Sequence, residues 1–180
     1  MTQLPPPPRQ AHRDAQLPEQ GAARHARQRL LPGLVAGAAF LAVAIVAGAA
    51  NTTPWAMPDA IAAVLGVGTT GYRFAAIPVL VGIAAHLTVS TALGVLYLAI
   101  ARRLRLRSGW VVFGAWVFAG AETPISLWGI LHTVLTPHTF HYFLDAVPFW
   151  ASFLGHNVYG LVLGLLTRRG TPVEPTPRAQ

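Results

Sequence analysis

The chain has 180 residues, of which 53% are hydrophobic and 11% charged, and it contains no cysteine. A soluble domain carries about 25% charged residues, so this composition predicts a protein built for lipid and excludes disulfides, thiolate metal sites and cysteine nucleophiles. The net charge of +7 would fit a nucleic-acid partner, but all the basic residues are arginines, and all except Arg73 lie in the tails or in the central loop. That distribution instead predicts a membrane protein with its arginines inside and no nucleic-acid partner.

The N-terminal part predicts a tail followed by a membrane helix. Residues 1–29 are rich in Pro, Gln and Arg and predict a disordered cytoplasmic tail. The apolar run 30–50 is about one bilayer long at roughly 1.5 Å per residue. A cleaved signal peptide is the alternative, because small residues end the run, but the long tail before it favours an uncleaved helix. In the outer loop 51–73, the stretch after Pro58 predicts a short helix lying on the membrane.

Three further apolar stretches predict three more spans. The second covers about 74–101, the third about 110–134 and the fourth about 147–167, and residues 170–180 form a second disordered cytoplasmic tail. The sequence therefore predicts an all-α integral membrane four-helix bundle over residues 30–169. Its two tandem helical hairpins place both termini inside, and the composition points to a multi-pass protein of a bacterial inner membrane.

The second and fourth spans share one pattern of residues. A shift of 70 residues places a proline, a histidine, a small residue and a glycine of one span on those of the other. Both helices read Pro-x7-His-x3-small-x3-Gly, which predicts an internal duplication with an axis along the membrane normal. Small residues four positions apart let helix backbones approach closely in lipid. The predicted packing residues are Gly33, Gly37, Ser90, Gly94, Gly160 and Gly164.

Three ionisable residues fall at a similar depth in the predicted membrane. His86 and His156 each follow their proline by eight residues, about 12 Å below the outer end, and Glu122 lies about 10 Å below the outer surface. Such groups are costly in lipid and normally face the interior. The simplest interpretation is a structural hydrogen-bonded layer. A proton or ion path through these residues, and a metal or haem site ligated by the two histidines, are the alternatives.

The second outer loop contains another set of polar residues. In a helix over 136–145, two histidines and an aspartate would share one face, a pattern that suits zinc or copper. The alternative is an interfacial loop, rich in aromatic residues, in which the aspartate caps the fourth helix. The predicted metal-site residues are His132, His138, His141 and Asp145.

Three apolar motifs carry a resemblance. The ending HNVYGLVLGLL, the earlier HLTVSTALGVLY and the glycine-rich GLVAGAAFLAVAI resemble a group of small, uncharacterised four-span bacterial inner-membrane proteins. The resemblance covers about residues 33–167 and implies the four-span topology. That group has no assigned activity, so no mechanism follows from it. The long arginine-rich N-terminus and the histidine-rich second outer loop depart from its pattern.

The functional prediction is correspondingly broad. The sequence contains no phosphate-binding loop, dinucleotide fingerprint, HExxH motif or nucleophile elbow, so it predicts neither an enzyme nor a bound cofactor. The leading prediction is a non-enzymatic membrane component that contacts lipid and either self-associates or serves a membrane partner protein. The alternative is a small conduit for protons, metal ions or another solute that uses the His/Glu layer. A haem- or metal-binding role is the third hypothesis.

Overall fold

The computed structural model describes residues 8–68, 73–125, 132, 141, 144, 145 and 147–169. Within these residues the chain is helical and has no strand, as predicted from the composition. The five helices described are α1 (Pro8–Asn51), α2 (Ala56–Val64), α3 (Ala76–Arg103), α4 (Ser108–Pro124) and α5 (Phe149–Arg169).

Three of these helices are long and apolar enough to cross a membrane. The apolar segments are Ala26–Asn51 in α1, Ala76–Arg103 and Phe149–Arg168. They coincide closely with the predicted first, second and fourth spans. α4 has 17 residues and is also apolar, but the structure describes no continuous segment between residue 125 and the aspartate at 145. The predicted third span therefore lies partly outside the described residues.

The helix α1 begins earlier than the sequence analysis predicted. Its backbone is helical from Pro8, whereas residues 1–29 were expected to be a disordered tail. Ala, Gln and Arg dominate this stretch and are strong helix formers. They extend a helix that the adjoining apolar segment already nucleates, so no new nucleation cost arises. The rest of that predicted tail, residues 1–7, and the C-terminal tail 170–180 lie outside the described residues.

Small residues set the distances between neighbouring helices. A Cβ atom added to Gly94 of α3 would lie 2.5 Å from the Cα atom of Gly33 in α1. Likewise, a Cβ atom on Gly164 of α5 would lie 2.7 Å from the Cα atom of Val112 in α4. α1 also packs against α5, whereas α3 and α4 contact each other only sparsely. In space the four long helices thus follow the order α3, α1, α5, α4.

The short helix α2 packs into the protein. Most of its residues are buried, and it packs against α3, where a Cβ atom on Gly82 would lie 1.8 Å from the carbonyl oxygen of Pro58. The short helix predicted after Pro58 is therefore present, and it packs mainly against α3. That it lies on the membrane surface stays a prediction. Gly66 ends the helix with φ at 74°, a conformation that glycine adopts without strain.

Candidate functional site

His156 and Glu122 form a contact between α5 and α4. The Nε2 atom of His156 lies 2.5 Å from Oε2 of Glu122, and both side chains are largely buried. The Nδ1 atom of the same ring lies 2.8 Å from the carbonyl oxygen of Ser152. A carbonyl oxygen only accepts hydrogen bonds, so the Nδ1 atom carries a hydrogen. The contact between Nε2 and the carboxyl group then needs one proton, which the two groups share. The pair is net neutral whether that proton sits on the imidazole or on the carboxyl group.

His86 is held by α1 in a similar way. Its Nε2 atom lies 3.1 Å from the carbonyl oxygen of Gly37 and 3.4 Å from the hydroxyl oxygen of Ser90. Gly37 makes this possible, because a Cβ atom there would lie 2.5 Å from the Cβ atom of Ser90. In the neutral ring the hydrogen bond to the carbonyl places the proton on Nε2 and leaves Nδ1 as an acceptor.

The ring of Phe40 lies between the two histidines. Its centroid is 4.8 Å from that of His86 and 4.7 Å from that of His156. Gly155 makes room for this ring, because a Cβ atom there would lie 2.8 Å from Cε2 of Phe40. The histidines therefore face each other across an aromatic ring that belongs to α1.

These residues border a cavity of about 400 Å³, to which all five helices contribute. The roof is apolar and comes from α2, with Met57, Ile61 and Val64. Two lining residues, Leu65 and Val89, are 56% and 57% exposed, so the cavity opens on that side. We call this space the polar cavity after its polar lining residues, which are His86, Ser90, Glu122, Ser152, His156 and Tyr159.

Two tyrosines join helices around the polar cavity. The hydroxyl of Tyr159 donates to the carbonyl oxygen of Ser90 at 2.7 Å and so joins α5 to α3. The hydroxyl of Tyr97 donates to the carbonyl oxygen of Val111, which joins α3 to α4 near the short loop between them. α3 and α4 therefore contact each other near that loop. Farther from the loop, both helices line the cavity, α3 with Leu93 and α4 with Ala119.

Comparisons with protein-family models, curated proteins and solved structures gave no match.

The structure brings the predicted polar layer together. Glu122 contacts His156 directly, and His86 lines the same cavity on the other side of the Phe40 ring. Asn157, which follows His156, points to a different side of α5. Its side-chain oxygen accepts from the indole nitrogen of Trp116, and its amide nitrogen donates to the carbonyl oxygen of residue 153 at 2.7 Å. The 100° turn between successive helix positions separates these two polar residues.

The geometry around the two histidines weighs against their ligating one haem. The Phe40 ring lies where a macrocycle between them would have to lie. Both nitrogens of His156 and one nitrogen of His86 are already in polar contacts within the protein.

The predicted metal site in the second outer loop is described only in part. His132, His141 and Asp145 are exposed, and His138 lies outside the described residues. Among the residues that the structure describes, no group of three or more His, Asp or Glu side chains could hold a metal ion. The four-residue site remains a prediction.

Several residues of the cavity were not predicted from the sequence. Ser152, His156 and Tyr159 follow one another at i, i+4 and i+7, which places them on one helix face. That spacing could have identified the serine and the tyrosine. Phe40 likewise follows Gly33 by seven residues on the packing face of α1. By contrast, no spacing indicated that α2 would cover the cavity.

Proposed function

We propose that the chain is a four-span protein of a bacterial inner membrane with both termini inside. Three apolar helices and the arginines at Arg102, Arg103 and Arg107 support this topology. The close packing of α4 against α5 supports α4 as the fourth span. Two hairpins, α1 with α3 and α4 with α5, then share one packing scheme. The α4 residues Ala115, Ala119 and Glu122 follow the α1 residues Gly33, Gly37 and Phe40 by 82 positions each.

Within that architecture we propose a binding role without catalysis: the protein takes up a small, largely apolar molecule from the membrane into the polar cavity. The observation that carries the proposal is a space of about 400 Å³ with an apolar roof and a few polar groups on its walls. Small-molecule sites in proteins have this character and a volume of about 300–1,000 Å³. The hydrogen-bonded histidines supply orientation, and the apolar surface supplies affinity.

Photolabelling tests this function. The protein is reconstituted in phosphatidylcholine vesicles with a diazirine-bearing octanol, irradiated, and the labelled residues are located by mass spectrometry. Labelling of cavity residues such as Leu93 is expected to saturate and to be competed by unlabelled octanol, whereas labelling of Leu80, exposed on the outer face of α3, rises linearly.

A bulky residue at the mouth of the cavity provides the control. Val89→Trp is expected to abolish the saturable labelling, because residue 89 lines the open side. The matched variant Leu96→Trp changes a residue of the same helix that is 50% exposed and does not line the cavity, and should leave the labelling intact. The binding function would be refuted if the labelling of the cavity residues also rose linearly, or if the two Trp variants changed the labelling equally.

A second function, proton conduction, is favoured by the proton that His156 and Glu122 share. In this case the vesicles would show a proton flux that Glu122→Gln lowers, because an amide does not release a proton. The same flux in the wild type and in the Gln variant would exclude the residue from a proton path.

A further inference from the structure

We infer that the polar cavity selects a neutral amphiphile whose head group donates a hydrogen bond, such as an alcohol or a phenol, and that His86 accepts that bond through Nδ1. This inference rests on the proposed binding function and names the class of ligand. It follows from the hydrogen-bonding capacity of the cavity wall, from its net charge and from the side on which the cavity opens.

The two histidines differ in their remaining hydrogen-bonding capacity. His156 is in contact through both ring nitrogens, one with the carbonyl oxygen of Ser152 and one with Glu122. His86 is bound through Nε2 alone, and its Nδ1 atom has no hydrogen-bond partner among the described residues. With the proton on Nε2, this Nδ1 atom is a lone-pair acceptor on a partly buried residue that lines the cavity. Such an acceptor gains from a ligand that donates a hydrogen bond.

The charge of the cavity wall favours a neutral head group. Glu122 contacts His156, so the acidic side chain among the described residues of the cavity wall belongs to a net-neutral pair. No arginine lines the cavity within the part of the chain that the structure describes. An ionised head group would therefore bring an uncompensated charge into the membrane interior, which costs about 2.5–3.5 kcal/mol on insertion scales. A neutral head group avoids that cost.

The open side of the cavity offers an apolar route of entry. The open side of the cavity lies between α2 and α3, where Leu65 and Val89 are exposed. Both residues are apolar, so a molecule that reaches the cavity by this side passes through an apolar mouth. The polar groups Glu122 and His86 lie inside. An amphiphile dissolved in the bilayer can enter by this side with its head group in front. Its head group then lies inside the cavity, and its apolar tail lies near the mouth.

Three photolabels with the same chain length test the head group: the diazirine-bearing octanol, its methyl ether and the corresponding octylammonium. We expect saturable cavity labelling by the alcohol at a concentration roughly tenfold lower than for the ether, since the ether cannot donate. The ammonium should require a still higher concentration. If the ether or the ammonium labels the cavity as well as the alcohol, the inference is overturned while the binding function stands.

A substitution at His86 assigns the acceptor. His86→Leu removes the acceptor at Nδ1 together with the hydrogen bond from Nε2 to the carbonyl oxygen of Gly37, whereas a glutamine would keep an acceptor in its amide oxygen. The alcohol and the ether should then label the cavity equally. The control Thr88→Val removes an exposed hydroxyl of the same helix outside the cavity, and should preserve the tenfold preference.

The possible results separate the two proposals. An unchanged preference in His86→Leu would show that another group accepts the bond and would overturn this assignment. If His86→Leu does not fold, the comparison of the three probes on the wild-type protein still decides the ligand class. No saturable labelling by any probe would refute the binding function itself.

Discussion

Glu122 and His156 face each other across the interface of α4 and α5 at 2.5 Å, with one proton between them. Both groups are largely removed from solvent, and the imidazole is oriented by its second hydrogen bond, to the carbonyl oxygen of Ser152. The contact thus fixes the rotation of α5 relative to α4. If either residue is replaced by an apolar one, the side chain of the other loses a polar partner. The stability of the bundle therefore depends on the pair.

This dependence predicts a non-additive response to substitution. Glu122→Leu leaves His156 buried without its partner and should lower the free energy of unfolding by about 3 kcal/mol. Glu122→Gln should cost only about 1 kcal/mol, because an amide can still donate to the imidazole. The double variant Glu122→Leu/His156→Leu should recover most of the loss. Unfolding of the detergent-solubilised variants measures the cycle, and strict additivity would contradict a coupled pair.

The close approach of glycines predicts which small-residue positions tolerate a methyl group. Gly94→Ala and Gly164→Ala should each destabilise the protein by about 1–3 kcal/mol, because the added Cβ would meet backbone atoms at 2.5 and 2.7 Å. Gly109→Ala is the control, since no atom lies within 4 Å of the added group there. Alanine should even favour the helix at that position, by up to about 1 kcal/mol. Thermal unfolding in detergent checks the order, and equal effects would contradict this packing.

The ring of Phe40 is predicted to organise the two histidines. Phe40→Ala should lower the free energy of unfolding by about 3 kcal/mol, because it leaves a void between two imidazoles. Phe113→Ala removes an aromatic ring of α4 that is half exposed, and should cost much less. Histidine side-chain NMR signals should also shift in the first variant and stay in place in the second. Unchanged signals in Phe40→Ala would show that the rings do not depend on it.

The proposed topology predicts opposite accessibility for two sets of single cysteines. The chain has no native cysteine, so each introduced thiol is the only one. Val67→Cys and Asp145→Cys should react with a membrane-impermeant maleimide added outside intact cells. Arg107→Cys should react only after the cells are permeabilised, because the arginine-rich loop lies inside. Labelling of all three from one side would contradict the four-span arrangement.

The pattern of residues predicted the helices better than it predicted the site. Long apolar runs and flanking arginines were enough for the segments at Ala76–Arg103 and Phe149–Arg168, because an apolar stretch of bilayer length in a membrane must form internal backbone hydrogen bonds. The periodic spacing also placed Glu122 and the two histidines at one depth. Helix rise is regular, so depth follows from counting residues.

The sequence by itself determined that the chain is helical, where three apolar helices run and which small residues mark their faces, since these properties depend on local composition and on the helical period. Only the tertiary structure decided that Phe40 separates the two histidines, that α2 covers the cavity and that α3 and α4 meet only near Tyr97. These relationships depend on the rotation and tilt of helices against one another. Such rotations are set by many small contacts between residues far apart in the chain, which no local pattern encodes.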